Sequence, residues 1–379
     1  MTTKVRAYVS PAYSKGRVDK AGRRIGTDHE QPDDLEILEN WRASHANILN
    51  TFKTILYNRA RNFDVQIAQR LKRKPTILDK LLREPGMHLS RMHDIAGCRV
   101  IFRSLDELYQ FRKLMHDGRF EHERRGVDDD RWNYVESPKP SGYRGIHDVY
   151  RYHVTPKVRK AREEQPWNGM LVEIQYRTHV QHAWATAVEL VGLVTASDPK
   201  FDRGNPDFIE FFRFASEILA RTQEGMTSCY DYFSDEELVK NFHDLENRTH
   251  VMRLLSEIRR SEGEIQLSNA SILIFSYQQE LFPEDRLEIR QFESLNAAIT
   301  AYNRLEKELF GQADIVLVGS RSGESIKSAY RNYFSDATEF LELIKVGLNE
   351  LEDSIEVDQT ELAYAALDFW HQIQDEGQS

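Results

Sequence analysis

The sequence predicts a mixed α/β protein in which helices flank a sheet in a first domain, and a second, smaller α/β domain follows a helical connector. Three observations predict it. Short apolar runs of strand character alternate with stretches whose apolar residues recur every three or four positions. A chain of 379 residues exceeds what one compact core usually organises. A second series of strand and helix patterns then begins near residue 266, giving expected segments of 1–32 (a basic arm), 33–225, 226–265 (the connector) and 266–379.

The arm carries Lys4, Arg6, Lys15, Arg17, Lys20, Arg23 and Arg24, and from Tyr8 to Gly26 it mixes Gly, Ser, Lys and Arg without apolar periodicity, so it reads as a loose or contact-ordered terminus. After Asp33-Asp34, the apolar residues Leu38, Trp41, Ile48, Phe52 and Ile55 fall on one face of a long helix with an acidic start. Cys98 to Phe102 is an expected buried strand, Leu105 to Met115 a helix, and His147 to Val154 and Met170 to Tyr176 two further strands. The helix that follows carries Trp184, Val188 and Val191 on one stripe. Within Glu236 to Glu262, Leu238, Phe242, Leu245, Thr249 and Met252 alternate in steps of four and three, the pattern of a helical seam or of plain packing on the first domain. Strands are expected at Ser271 to Phe275, Leu287 to Phe292 and Ala313 to Val318, and helices at Ser294 to Phe310, Ser325 to Tyr333, Ala337 to Leu351 and Glu361 to Ile373.

Composition narrows the function class. With 40% hydrophobic and 30% charged residues and a mean hydropathy of -0.61, the chain is of the ordinary globular kind. No apolar run approaches the roughly 18 residues of a membrane span. Met1-Thr2-Thr3-Lys4 lacks the apolar core of a secretory signal, so no membrane association and a cytoplasmic location are expected. Cys98 and Cys229 stand far apart with no C-x-x-C pair, which removes a disulfide framework or a cysteine zinc site from the reading. A net charge of -10 argues against indiscriminate nucleic-acid binding and leaves local basic clusters to be explained locally.

Four clusters carry candidate chemistry. Arg70, Lys72, Arg73, Lys74 and Lys80 concentrate cations that can clamp a triphosphate, or simply line a solvated helix flank. Asp94 stands at the mouth of a strand, where a carboxylate can ligate a hard divalent cation, while Arg99 offers a planar head that stacks on a base. His93-Asp94 is also similar to the His-Asp dipeptide of metal-dependent phosphohydrolases, but it runs straight into a strand without the further ligands such sites need. Between Ser137 and His147 two prolines and two glycines build a rigid loop able to present backbone N–H groups to phosphate, with Lys139, Arg144 and His147 adding charge and Tyr143 a stacking surface. Along Val172 to Thr178, alternation puts Glu173, Gln175 and Arg177 on one side of a strand. His179 and His182 have helical spacing but nothing that completes a zinc set.

In this order the four clusters resemble the synthetase domain of the RelA/SpoT family, the alarmone (p)ppGpp synthetases, over about Leu35 to Arg221. The basic motif is met by Arg70, Lys72, Thr76, Ile77 and Lys80, the D-x-x-G-x-R element by Asp94, Gly97 and Arg99, the P-K-x-x-G-Y-x-x-x-H loop by Pro138, Lys139, Gly142, Tyr143 and His147, and the E-I-Q-x-R-T element by Glu173, Ile174, Gln175, Arg177 and Thr178.

The resemblance implies a nucleotidyltransferase-like synthetase domain that moves the β,γ-pyrophosphate of ATP to the 3′-hydroxyl of GDP or GTP and releases AMP. It assigns Arg70 and Arg99 to adenine stacking and Lys72 and Lys80 to phosphate. Asp94 and Glu173 fall to Mg²⁺, with Glu173 also activating the hydroxyl. Tyr143 takes the acceptor base, and Lys139, Arg144, His147, Gln175 and Arg177 the acceptor. Asn133-Tyr134-Val135 and Gly145-Ile146-His147-Asp148 depart from the family's usual Asp-Tyr-Ile and Ser/Thr-rich loop, which leaves the acceptor open. Long bifunctional relatives carry a hydrolase domain ahead of the synthetase, and too few residues precede Arg70 for one, so hydrolysis of the product is not expected. Two other readings stand beside this one. In the first, the 3′ end of tRNA is the acceptor and the C-terminal domain a built-in antitoxin; in the second, the chain is a catalytically silent nucleotide sensor. The C-terminal domain can equally serve regulation or homo-oligomer formation.

Overall fold

A computed structural model of the chain describes residues 9–118, 121–126, 130–153, 166–195, 206–252, 255–256, 270–276, 287–292, 313–319 and 335–376, with single positions between 297 and 309. The chain divides into two compact units, Met1–Glu136 with Gly145–His179, and Ser137–Arg144 with Val180–Ser379.

The first unit is built on five strands, β1 (Gln66–Leu71), β2 (Ala96–Phe102), β3 (Glu123–Arg125), β4 (Ile146–Arg151) and β5 (Leu171–Thr178), in the order β1-β2-β5-β4-β3. Only β2 and β5 run parallel; the other neighbours are antiparallel. Helices α1 (Lys15–Gly26), α2 (Asp34–Arg59), α3 (Lys74–Arg83) and α4 (Leu105–Asp117) complete it. Alternation decides what each sheet face buries. Phe102 and Tyr176 on one face meet Phe111 of α4 at ring separations of 5.4 and 6.3 Å, and Tyr150 on the same face meets Phe52 of α2 at 5.5 Å.

Among the elements that differ from the sequence reading, two stand in the first unit at α1 and β1. Residues 15–26, expected to lack periodicity, form α1, started by the Ser14 hydroxyl, which accepts the Arg17 N–H. Its buried stripe is Val18, Ala21, Gly22, Ile25 and Gly26, small enough to lie close to its neighbours: a Cβ on Gly22 would come within 2.7 Å of the Leu89 Cβ. Arg24 of the basic arm is committed to Asp34, its Nε donating at 2.8 Å. The second is β1, an edge strand whose side chains are exposed or half-buried and which no apolar alternation announces.

In the second unit, α5 (His179–Thr195) is followed by α6 (Pro206–Glu224) and α7 (Asp235–Thr249), the latter opened by a capping box between Ser234 and Glu237. Strands β6 (Ala270–Ser276), β7 (Leu287–Gln291) and β8 (Ala313–Gly319) form an antiparallel sheet in the order β7-β6-β8. The two expected C-terminal helices are one, α8 (Ser335–Glu376). Its buried Ala337, Phe340, Leu341 and Ile344 pack on α6 and α7, with the Phe340 ring 5.9 Å from that of Phe212. Phe211 meets Phe242 at 4.8 Å, so the apolar steps of α7 are packing positions. Residues 1–8, with Lys4 and Arg6, the helix expected at Ser325 to Tyr333 and most of that at Ser294 to Phe310 lie outside the described residues.

Candidate active site

The sheet face opposite α2 and α4 gathers the polar residues of three motifs. Register sets Arg70 opposite Gly97 and Gly97 opposite Glu173; one row on, Ala68, Arg99, Gln175 and His147 stand side by side, and Arg177 follows opposite Ile101. Paired residues share a face, so Arg70, Arg99, Glu173, Gln175, Arg177 and His147 share one. Gly97 leaves a gap between Arg70 and Glu173, whose strands are about 10 Å apart as second neighbours. A Cβ at Gly97 would meet only the Arg70 carbonyl at 3.9 Å, so nothing in the described residues fills the space above it.

Asp94 sits just ahead of β2, on a turn pinned by the buried Met92 and Ile95. The Lys72 N–H donates to the Ile95 carbonyl at 2.8 Å and so extends the β1–β2 ladder, which brings the Lys72 ammonium to Asp94 at 2.8 Å. Lys80 arrives from α3, where Pro75 starts the helix and Ile77 and Leu81 face inward, and its Nζ lies 3.3 Å from the same carboxylate. Burial pushes the Asp94 carboxyl up, and so does the charge of Glu173, but Lys72 and Lys80 outweigh them and the net shift is down. Lys72 is shifted down too, by burial first, against the pull of Asp94.

Glu173, 3% exposed, is surrounded by donors. His93 Nδ1 lies 3.2 Å and His147 Nδ1 3.1 Å from Oε1, and Gln175 Nε2 donates to Oε2 at 2.7 Å. Burial alone would raise this carboxyl; the two imidazoles hold it well below its ordinary range. His147 is fixed in turn by its N–H, which donates to the Trp132 carbonyl at 3.1 Å, and by the Tyr134 ring at 5.4 Å.

Glu173, buried, and Asp94, half-buried with its side chain 20% exposed, are both held below the ordinary carboxylate range, an all-oxygen donor pair of the kind a hard cation prefers. Among the described residues no group of three or more His, Cys, Asp or Glu side chains is arranged to hold a metal ion.

Lys139, Tyr143 and Arg144 belong to the second unit. The loop closes on itself, with the Gly142 N–H donating to the Lys139 carbonyl at 2.8 Å, the Lys139 N–H to the Tyr143 carbonyl at 3.1 Å, and Gly142 at a φ of +83° that favours glycine. Tyr143 is buried, its ring 6.4 Å from Trp184 and 5.3 Å from the Lys139 ammonium. Arg144 is buried in an ion pair with Glu224, to which Gln181 also donates at 3.0 Å. The residue that sequence reasoning left without a role is His93. Its signal, the dipeptide with Asp94, was visible, but its contact with Glu173 joins positions 80 apart in the chain.

Residues 69–190 match the family model described as the region found in RelA / SpoT proteins. No curated protein matches the chain. Among solved structures, the chain is similar to small alarmone synthetase 2 from Bacillus subtilis, at 20% identity and a TM-score of 0.38, covering 48% of this chain and 90% of that one. It is similar to small alarmone synthetase 1 from Bacillus subtilis bound to its product pppGpp, at 21% identity and a TM-score of 0.37, covering 48% and 91%. A GTP pyrophosphokinase family protein from Streptococcus pneumoniae follows at 18% identity and a TM-score of 0.36, covering 60% and 97%.

Proposed function

We propose that residues 69–190, which match the model of the region found in RelA / SpoT proteins, form a synthetase domain of that family, and that the chain is a nucleotide pyrophosphokinase that transfers the β,γ-pyrophosphate of ATP to the 3′-hydroxyl of GDP or GTP and releases AMP. The observation that carries the reading is that Asp94 and Glu173, from different motifs, both stand near the start of the parallel β2–β5 pair, Asp94 against Lys72 and Lys80 and Glu173 against His93, His147 and Gln175.

In-line transfer asks for alignment and charge neutralisation more than for a covalent nucleophile. Arg70 and Arg99, both on the polar face, stack on the adenine. Lys72 and Lys80 turn from Asp94 to the triphosphate, so the cations that hold the carboxylate in the free protein bind phosphate in the complex. Asp94 and Glu173 would hold Mg²⁺, which would supply charge neutralisation of the transferring group. Glu173 orients the acceptor hydroxyl as a hydrogen-bond acceptor; two nearby imidazoles, the Gln175 amide and a depressed carboxyl make it a weak proton sink, so proton transfer trails bond formation. Within the sheet the acceptor falls to His147, Gln175 and Arg177; Lys139, Tyr143 and Arg144 are assigned to it by the family resemblance alone.

ATP labelled in its terminal phosphates, offered with GDP, GTP, ATP or bulk tRNA, tests this. The expected result is AMP release with label on a guanine nucleotide, and a fall of at least about 10²-fold in Asp94→Asn and Glu173→Gln. Label on tRNA reassigns the acceptor, and no AMP release with any acceptor rejects the reading.

A further inference from the structure

The His93-Asp94 dipeptide is not explained by the transfer chemistry. Asp94 has a role in it; His93 has none. Its side chain turns away from its neighbour's lysine partners and places Nδ1 3.2 Å from Oε1 of Glu173, the oxygen that His147 Nδ1 also reaches at 3.1 Å. The ring is half-buried and set 5.7 Å from the Trp132 ring, which carries the Arg131 guanidinium over it at 4.5 Å. The Trp132 carbonyl in turn receives the His147 N–H at 3.1 Å. Trp132 thus touches both histidines, His93 ring to ring and His147 through the backbone, but the two imidazoles beside Oε1 come from different places. His147 rises from β4, next to β5 in the sheet, so its contact to Glu173 stays within the sheet. His93 comes from the turn ahead of β2 and is covalently adjacent to the other carboxylate.

We propose that His93 is a positioning residue: the contact of its Nδ1 with Oε1 of Glu173, at 3.2 Å, ties β5 to the turn that carries Asp94 and fixes the separation of the two carboxylates before any cation arrives. This rests on the reading of Asp94 and Glu173 as a cation site. A carboxylate on a strand has a free choice of rotamer about its terminal torsions, and two carboxylates of like charge separate unless held. Gln175, on the same strand as Glu173, and His147, on the next, restrain the Glu173 head group from within the sheet; among the described residues, His93 approaches it from the turn that carries Asp94. Partners that orient a ligating carboxylate are commonly worth about 10- to 100-fold in metal affinity.

The test uses the full chain and Mn²⁺ alone as the probe, its binding read by electron paramagnetic resonance, with the melting temperature of each variant recorded. His93→Leu keeps an apolar body against Trp132 and removes the donor; His93→Asn keeps an N–H where Nδ1 stands and removes most of the ring. The expected result is Mn²⁺ binding weakened about 10- to 100-fold in the Leu variant and restored to within about threefold of wild type in the Asn variant. In turnover the Leu variant lowers kcat while the KM for the acceptor stays within about twofold. A merely space-filling His93 gives the reverse order, with Leu near wild type and Asn impaired, and that order overturns the inference. Unchanged Mn²⁺ affinity in both variants overturns it too, while leaving the cation site standing. Absence of Mn²⁺ binding by the wild-type chain removes the cation site and this inference together.

Discussion

Lys72 holds Asp94 through an ion pair of 2.8 Å in which both side chains are largely withdrawn from water. The site thus satisfies its cations with its own carboxylate, and under the proposed function nucleotide binding is an exchange of partners rather than the filling of a bare positive cleft. Lys72→Met is expected to raise the KM for ATP by about tenfold or more, the worth of a charge-assisted contact, with the acceptor KM unchanged within about twofold. Asp94 keeps Lys80 at 3.3 Å, so the variant folds. Initial-rate measurements with ATP and acceptor varied separately check this.

Gly97 lies between Arg70 and Glu173 in the same row of the sheet, and the protein offers a Cβ there nothing nearer than 3.9 Å. Gly97→Val is therefore expected to fold, with a melting temperature within a few degrees of wild type or above it, since a β-branched residue suits a strand. Its side chain fills the space over the gap, and the expected result is a KM for ATP raised at least about tenfold, near 1.4 kcal/mol. A loss of stability with unchanged ATP binding would contradict the placement of the nucleotide over this row.

Behind the sheet, Arg112 donates to Asp148 at 2.8 Å through Nη2 and at 3.3 Å through Nε, and His116 reaches the other Asp148 oxygen at 2.7 Å. Burial would raise the Asp148 carboxyl, but His116 and Arg112 bring it below its ordinary value. A depressed native value means stability that is complete above the ordinary carboxylate range and lost as pH falls through that range toward the native value. Asp148→Asn is expected to cost about 3–5 kcal/mol near neutral pH by leaving Arg112 under-partnered. The gap to wild type should narrow as pH drops below about 4. Urea titrations at several pH values measure both.

Burial pushes the Cys98 thiol up to about 12 and that of Cys229 to about 11. At about pH 8 the folded chain then presents a thiolate fraction of about 10⁻⁴ at Cys98 and 10⁻³ at Cys229, against tens of per cent for a free thiol. Both are expected to resist a maleimide until denaturant is added, and mass spectrometry of the adducts over time checks it.

What was legible in the sequence follows from how each signal arises. β2, β5 and β6 to β8 are apolar enough to show as strands, and α2 and α4 carry wide apolar faces. β1 was hidden because it borders a single neighbour and keeps polar side chains outward. α1 was hidden because its buried stripe is half Ala and Gly, which contribute close approach rather than hydrophobic contrast. α8 reads as two helices because its apolar spacing lapses around Asp353 to Glu356, where the backbone simply continues. At the site, alternation alone grouped Glu173, Gln175 and Arg177, and register added Arg70, Arg99 and His147 to them. The pairing of Asp94 with lysines and the grip of His93 on Glu173 are long-range contacts with no local trace.

One helix of the second unit serves two neighbours at once. The Ser216 hydroxyl of α6 donates to the Gly142 carbonyl at 2.6 Å, and four residues earlier the Phe212 ring meets Phe340 of α8. Shearing α8 off at Ser335 would strip the cover from Phe212 and from Ile218, whose methyl lies close to Gly347, and expose an oily wall on the very rod that anchors the glycine loop. A shortened chain ending there is accordingly a damaged one, and its loss of turnover would report a slumped loop anchor rather than the removal of a separable regulator.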